Sequence, residues 1–170
     1  MKLVALMLLM AGNAVAQNAP KDVPAACGDM KVVYDASVAD DGRHVSGTAA
    51  PGNALVYFIQ DLGFEAGEHF TIRLGVDGTW VGAYKQSSAM LIAVAPGERH
   101  LCASVQSVLP AGKILTVMHF TAEAGKTYYF RTRLLSQYPT YPALELGAVD
   151  SDEGQYLVGE YPMAVWKEKK

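Results

Sequence analysis

The sequence predicts a mostly β protein: a single antiparallel β-sandwich of about seven to nine strands with one short C-terminal helix. Three observations predict this fold class. Hydrophobic residues make up 51% of the 170 residues, which is enough to fill a core. From position 54 onward, short apolar runs alternate with turn residues at the spacing of a sandwich or barrel. The pair Asp77-Gly78 stands between two such runs and favours a tight hairpin turn.

The first predicted strands surround that turn. Residues 55–59 are apolar on both faces, which is typical of a central buried strand. Residues 70–74 alternate in polarity, and residues 80–84 supply the returning strand of the hairpin. Because Asp77-Gly78 accepts the positive φ angles of a type I′ turn, we expect these two strands to pair directly.

Four further strands are predicted in the middle of the chain. Residues 88–94 form an apolar run that ends at an Ala-Pro-Gly turn, and residues 98–104 follow it. Residues 114–121 and 127–135 flank a glycine-containing turn at 124–126. This arrangement predicts that the last two strands form a hairpin.

The C-terminal part of the sandwich combines short strands with one helix. Residues 144–149 predict a short strand. Asp150 and Glu153 have the spacing of a capping box, which predicts a helix over 151–158. Residues 163–166 predict an edge strand that follows the helix.

The N-terminus has the pattern of a secretory signal peptide over residues 1–16. A basic start precedes an apolar run at 3–10, and small residues at 14–16 suit cleavage after Ala16. Its removal from 170 residues leaves 154, the size of one ordinary domain. The predicted location is therefore periplasmic or extracellular. We interpret the remainder as an extended N-terminal arm (17–30), the sandwich (31–166) and a charged tail (167–170).

Charge and hydropathy limit the classes of partner. The chain carries 14 Lys and Arg against 17 Asp and Glu, and loss of Lys2 with the leader leaves 13 basic residues. A mildly acidic surface argues against nucleic acid or anionic lipid as a partner. The mature chain has no apolar stretch long enough for a transmembrane span.

Cys27 and Cys102 are the only cysteines, and an even pair in an exported domain predicts a disulfide. This bond would tie the arm to a core strand. A lipid anchor at Cys27 is the first alternative, but Pro24 occupies a position where a lipobox has an aliphatic residue. The second alternative is half a metal site, because His100 and Cys102 share one face of a strand. A metal ion would need two more ligands, and the spacing indicates none.

Two segments carry a resemblance to a known family. Residues 73–82 and 94–101 have the strand, Asp-Gly turn, strand and Pro-Gly-Glu-x-His layout of PEGA-type envelope modules. Together with residues 54–58 and 128–131, they resemble the bacterial family called domain of unknown function 2846, over roughly residues 50–165. The resemblance implies a sandwich protein of the envelope, secreted or lipid-anchored. It implies no activity and carries no catalytic residue onto this chain.

Local motifs predict no catalytic residue, cofactor or metal site. The sequence has no Gly-x-Ser-x-Gly elbow, phosphate-binding loop or His-Glu-x-x-His motif. We interpret each histidine as structural or solvated, although two that converged could bind Zn²⁺ or Cu²⁺. The acidic run 150–153 fits helix capping better than a calcium loop. The four histidines are His44, His69, His100 and His119.

Three aromatic residues, Tyr138, Tyr141 and Trp80, are the candidate ligand-binding residues. Tyr138 and Tyr141 lie in a segment interrupted by prolines, where flat rings can stack on a sugar or a proline-rich peptide. The simpler interpretation is a loop held in place by its own aromatic side chains.

Together, these patterns favour a non-catalytic exported envelope module that binds a partner protein, a peptide or a glycan. The alternative is a metal-dependent or hydrolytic periplasmic enzyme that uses dispersed histidine and acidic residues. The positions of the histidines distinguish the two classes. Two histidines and a carboxylate that converge in a cleft would favour the enzyme, whereas scattered histidines without a deep polar pocket would argue against it.

Overall fold

The computed structural model describes residues 24–61, 70–85, 87–106, 114–135 and 143–170. These residues form ten strands and one helix. In chain order the elements are β1 (Tyr34–Val38), β2 (Ala54–Gln60), β3 (Thr71–Val76), β4 (Thr79–Lys85), β5 (Ser88–Val94), β6 (Gly97–Gln106), β7 (Leu115–Ala122), β8 (Thr127–Leu135), β9 (Ala143–Val149), α1 (Ser151–Glu160) and β10 (Ala164–Glu168). The predicted signal peptide, His69, Tyr138 and Tyr141 lie outside the described residues.

Two four-stranded sheets pack face to face, which confirms the predicted sandwich. Their strand orders are β5-β2-β8-β9 and β4-β3-β6-β7, and β1 and β10 form a separate two-stranded ribbon. All pairs are antiparallel except β2 with β8, which run parallel. The two main sheets therefore hold eight strands, within the predicted range.

The main core lies between the two sheets. Alternate residues of each strand point inward, and Phe58, Ile72 and Leu74 are completely buried. A polar contact crosses this core, where the hydroxyls of Tyr84 and Thr132 form a hydrogen bond of 2.6 Å. Burial raises the pKa of Tyr84, so the phenol stays neutral and keeps this bond.

The second face of β2 is also covered, as the apolar run predicts. Tyr57 and Ile59 pack beneath Leu157 of α1 in a cluster separate from the main core. The Asp150 side chain accepts a hydrogen bond of 2.8 Å from the backbone N–H of Glu153, so the predicted helix cap is confirmed.

The opposite sheet is covered by the arm and by the β1-β10 ribbon. The residues buried there, called the arm cluster, are Cys27, Tyr34, Ala36, Trp80, Ala83 and Cys102. A β-bulge in β4 turns the Trp80 side chain toward this cluster. Leu74 pairs with Gly82 but the next residue, Gly75, pairs with Trp80, so β4 has one extra residue at this point. The extra residue, Val81, reverses the alternation of faces along the strand.

The predicted hairpin of residues 114–121 with 127–135 is wrong. β7 pairs with β6, whereas β8 lies in the other sheet between β2 and β9. The turn between β7 and β8 is bonded to the start of β2. Gly125 donates to the Asn53 carbonyl (2.8 Å), and Leu55 donates to the Lys126 carbonyl (2.9 Å). The chain therefore crosses from one sheet to the other at this turn.

The two ends of the domain pair with each other. β1, which the sequence pattern does not predict, pairs antiparallel with β10. The predicted edge strand is thereby confirmed, but it extends into the charged tail, where Lys169 donates to the Val33 carbonyl at 2.8 Å. Among the described residues, no helix combines the length and apolar character needed to cross a membrane.

Candidate functional site

A groove of about 520 Å³ lies on the outer face of the β4-β3-β6-β7 sheet, beside β7. The arm forms one wall, and the turn after β3 and the strands β6 and β7 form the rest. Its lining residues are Pro24, Ala25, Ala26, Asp77, His100, Val117, Met118 and His119. The groove thus combines an apolar wall with two imidazoles and one carboxylate.

The predicted disulfide is confirmed and holds the arm in place. Cys27 and Cys102 are bonded, with their Cα atoms 5.1 Å apart. A turn precedes the bond, where Cys27 donates to the Pro24 carbonyl at 2.9 Å. Gly78 donates to the Ala26 carbonyl at 3.2 Å, which seats the arm on the hairpin turn. Because its sulfur is in this bond, Cys102 cannot act as a thiolate ligand, and the metal site that would have combined Cys102 with His100 is excluded.

Arg73, a residue of β3, binds the arm to the sheet on which the arm packs. Its guanidinium is buried and donates to the carbonyls of Met30 (3.1 Å) and Val32 (2.8 Å) and to the Ser104 hydroxyl (3.1 Å). Burial lowers the pKa of Arg73, because desolvation disfavours the charged form. The hydrogen bonds that the guanidinium donates offset part of that cost.

Trp80, a candidate ligand-binding residue, lies inside the arm cluster. Only 8% of its surface is exposed, and its indole N–H donates to the Asp29 carbonyl at 2.7 Å. A Cβ at Gly28 would overlap the ring, so the arm packs directly on the indole. The ring therefore offers little surface to a ligand. The roles assigned to Tyr138 and Tyr141 stay predictions.

Asp77 organises the turn at the floor of the groove. Both Asp77 (φ 49°) and Gly78 (φ 84°) have positive φ, as the predicted type I′ turn requires. One carboxylate oxygen accepts from the backbone N–H of His100 (2.8 Å), and the other accepts from Arg99 (2.8 Å). The His100 hydrogen bond, followed by Arg99, lowers the pKa of Asp77.

His100 and His119 face each other across β6 and β7. The backbone N–H and C=O of His100 bond to Asp77, on the side away from β7. His100 and His119 are therefore a non-hydrogen-bonded pair, the position where antiparallel side chains approach closest. Their ring centroids lie 6.1 Å apart. Local sequence gives no signal for this pair, because 19 positions separate the two residues.

The other histidines do not join this pair among the described residues. The His44 ring nitrogen Nδ1 lies 3.0 Å from the Tyr161 carbonyl oxygen, near the end of α1. His69 lies outside the described residues. In the part of the chain that the structure describes, no group of three or more His, Cys, Asp or Glu side chains is placed to hold a metal ion.

A second polar cluster surrounds Asp61 and is structural. Its carboxylate accepts from Arg133 (2.6 Å) and from the Tyr161 hydroxyl (2.6 Å). Burial, together with that hydrogen bond, raises the pKa of Tyr161 to about 12. These bonds join the end of β2 to β8 and to the residue that follows α1.

Comparisons with known proteins add no family to these observations: no protein-family model, curated protein or solved structure matches the chain. The resemblance to the domain of unknown function 2846 family accordingly stays a prediction.

Proposed function

We propose that the chain is an exported, non-catalytic binding module of the cell envelope that takes an extended peptide segment of a partner protein along β7. The observation that carries this proposal is the groove of about 520 Å³ beside this edge strand. The resemblance to an envelope family points in the same direction.

The backbone of β7 supplies the attachment. Among the described residues, β7 has β6 as its one strand neighbour and ends the sheet. The alternation of hydrogen-bonded pairs directs the N–H and C=O groups of Val117 and His119 away from β6. A peptide that adds a strand there would bond to these groups, and every second side chain would face the groove.

The lining sets the chemistry of the peptide. Pro24, Ala25 and the exposed side chain of Val117 offer an apolar wall for an aliphatic side chain. His100 and His119 offer ring nitrogens to a polar neighbour. A segment that alternates an aliphatic with a polar or acidic residue fits both features.

The disulfide supports export, since such bonds persist in oxidising compartments. A sulfur atom engaged in a disulfide cannot also carry a lipid thioether, so the proposal includes no lipid at Cys27. Intact-mass analysis of the exported protein, with and without reductant, tests these points together. We expect cleavage after Ala16, no lipid mass and a gain of two hydrogens on reduction. A lipid adduct on Cys27 would contradict the proposal.

Binding is tested by site-specific photo-cross-linking in native envelopes. A benzophenone side chain at position 117 should give a discrete adduct, while the same group at Tyr156, exposed on α1, should not. Val117→Pro removes a backbone N–H that points away from β6, so the hydrogen bonds between β6 and β7 stay intact. If a peptide adds to β7 through this N–H, a benzophenone at position 121 should form an adduct in the otherwise wild-type protein and none in the Val117→Pro variant. Equal labelling from positions 117 and 156, or a Val117→Pro variant that still cross-links, would refute the edge-strand mode.

The enzyme alternative is less well supported by this geometry. Two histidines and Asp77 do converge on the groove, as an enzyme would require. However, both Asp77 oxygens already accept hydrogen bonds, and both imidazoles are exposed to water. A general base needs a free acceptor, and efficient chemistry favours a site that excludes water. The proposal therefore assigns no catalytic residue.

A further inference from the structure

We propose that His100 and His119 form a binding site for a single divalent transition-metal ion, with Cu²⁺ preferred over Zn²⁺. The two imidazoles would each supply one nitrogen, and water would complete the coordination. The same two histidines line the groove proposed for the peptide, but binding of a metal ion by them does not require that a peptide be bound there.

The backbone already places the two side chains for chelation. In a non-hydrogen-bonded antiparallel pair the Cα atoms lie about 4.5 Å apart, closer than in any other register position. His100 and His119 occupy such a pair on one face of the sheet. Both residues lie on strands that are hydrogen-bonded to each other. Chelation therefore requires rotation of the two side chains and no movement of the backbone.

The separation of the rings fits one shared ion. A metal ion lies 2.0–2.1 Å from an imidazole nitrogen, which limits two ring centroids on one ion to a separation of about 6.5 Å. The His100 and His119 centroids are 6.1 Å apart. The pair is therefore close enough to share one ion once rotation of the side chains turns a nitrogen of each ring toward it.

Glu98 supplies a favourable charge on the same face. Its carboxylate Oε1 lies 3.1 Å from Nε2 of His100. A carboxylate bonded to one ring nitrogen orients the imidazole and makes the other nitrogen a better ligand. The guanidinium of Arg99, the residue next to His100 in the chain, donates to Asp77 and to the carbonyls of Ala95 and Pro96. The positive charge of Arg99 is thereby directed into the turn.

The ligand set determines the metal. Imidazole binds copper, nickel and zinc, and two such ligands favour Cu²⁺ by the usual order of affinities. Two protein ligands leave the remaining positions to water, so we expect moderate affinity. An ion bound there would bridge β6 and the edge strand β7, and it would raise the melting temperature of the protein.

The test uses the mature protein with its disulfide intact and freed of metal by a chelator. Calorimetric titration with Cu²⁺ should show one site, and Zn²⁺ should bind more weakly. His119→Asn and His100→Asn should each weaken Cu²⁺ binding by about tenfold or more. His44→Asn, which changes a histidine on the other side of the molecule, is the matched control and should bind as the wild type does.

Two further readouts keep the result interpretable. The metal-free melting temperatures of the His119→Asn and wild-type proteins should agree, because the His119 side chain is exposed. Electron paramagnetic resonance of the Cu²⁺ complex should show coupling to two imidazole nitrogens. If His119→Asn binds Cu²⁺ as tightly as the wild type, or if the spectrum shows one imidazole, the assignment is overturned.

Discussion

The guanidinium of Arg73 lies over the indole ring of Trp80, with its Cζ atom 4.8 Å from the ring centroid. The same guanidinium donates hydrogen bonds to the carbonyls of Met30 and Val32, and the indole N–H donates one to the carbonyl of Asp29. One buried cation and one aromatic ring therefore fix three residues of the N-terminal segment onto the sheet. This contact positions the arm that forms one wall of the groove.

Replacement of Arg73 should release that segment. Arg73→Met keeps the aliphatic bulk but leaves the Met30 and Val32 carbonyls without their donor, which should lower the free energy of unfolding by about 1–3 kcal/mol. Urea denaturation at pH 7 measures the change. Arg43→Met is the control, since Arg43 pairs with Asp41 on the surface. Similar midpoints for the two variants would argue against an anchoring role for Arg73.

Removal of the disulfide should destabilise the domain. The Cys27–Cys102 bond joins residues 75 positions apart, and its loss typically costs about 2–5 kcal/mol. The double variant Cys27→Ser, Cys102→Ser should therefore unfold at lower urea concentration than the oxidised wild type. A reductant should shift the wild type to the same midpoint and leave the double variant unchanged. A wild type insensitive to reductant would contradict this expectation.

The hydroxyl of Tyr84 should contribute to stability across the core. Tyr84→Phe leaves the buried Thr132 hydroxyl without its 2.6 Å partner, and we expect a loss of about 1–3 kcal/mol. Tyr156→Phe provides the comparison, because 64% of Tyr156 is exposed on α1. Thermal and urea unfolding of both variants measure the difference. No difference between them would mean that the hydroxyl pair contributes nothing net.

Two glycines of α1 should respond in opposite directions to alanine. A Cβ at Gly154 would overlap the Tyr129 ring, whereas a Cβ at Gly159 would meet nothing within 4 Å. Gly154→Ala should therefore displace the helix and lower stability by about 1–3 kcal/mol. Gly159→Ala should raise it by up to about 1 kcal/mol through helix propensity. Unfolding curves for the two variants check the sign, and equal signs would contradict the packing.

The turn residue Asp77 should make stability depend on acid pH. Its pKa is lowered in the folded state, chiefly by the His100 N–H. Its contribution is therefore complete above the unfolded-state pKa of about 3.9 and is lost as the pH falls through the lower folded-state value. Asp77→Asn retains tolerance of positive φ but cannot ionise.

The measurement is the difference in unfolding free energy between pH 7 and pH 3. Asp77→Asn should show a smaller loss on acidification than the wild type. Asp40→Asn, at an exposed position, should behave as the wild type does. An unchanged loss for Asp77→Asn would show that another carboxylate governs the acid response.

Features with a local chemical cause were predictable from the sequence. Positive φ at Asp77 and Gly78 follows from the residues themselves, as does the cap formed by Asp150. The predicted strands over 88–94 and 127–135 agree with β5 and β8 residue for residue. Each of these signals lies within a few neighbouring positions, where the chain needs no distant partner.

The sequence by itself therefore determined the fold class, most strand positions, the helix cap and the pairing of the only two cysteines. The tertiary structure alone decided that β7 and β8 join different sheets, that β2 runs parallel to β8 and that His100 faces His119. The physical reason is that a turn signal specifies a reversal of the chain but not the strand that will accept its hydrogen bonds. That choice depends on which distant apolar faces bury the most surface together, and it was this choice that created the groove beside β7.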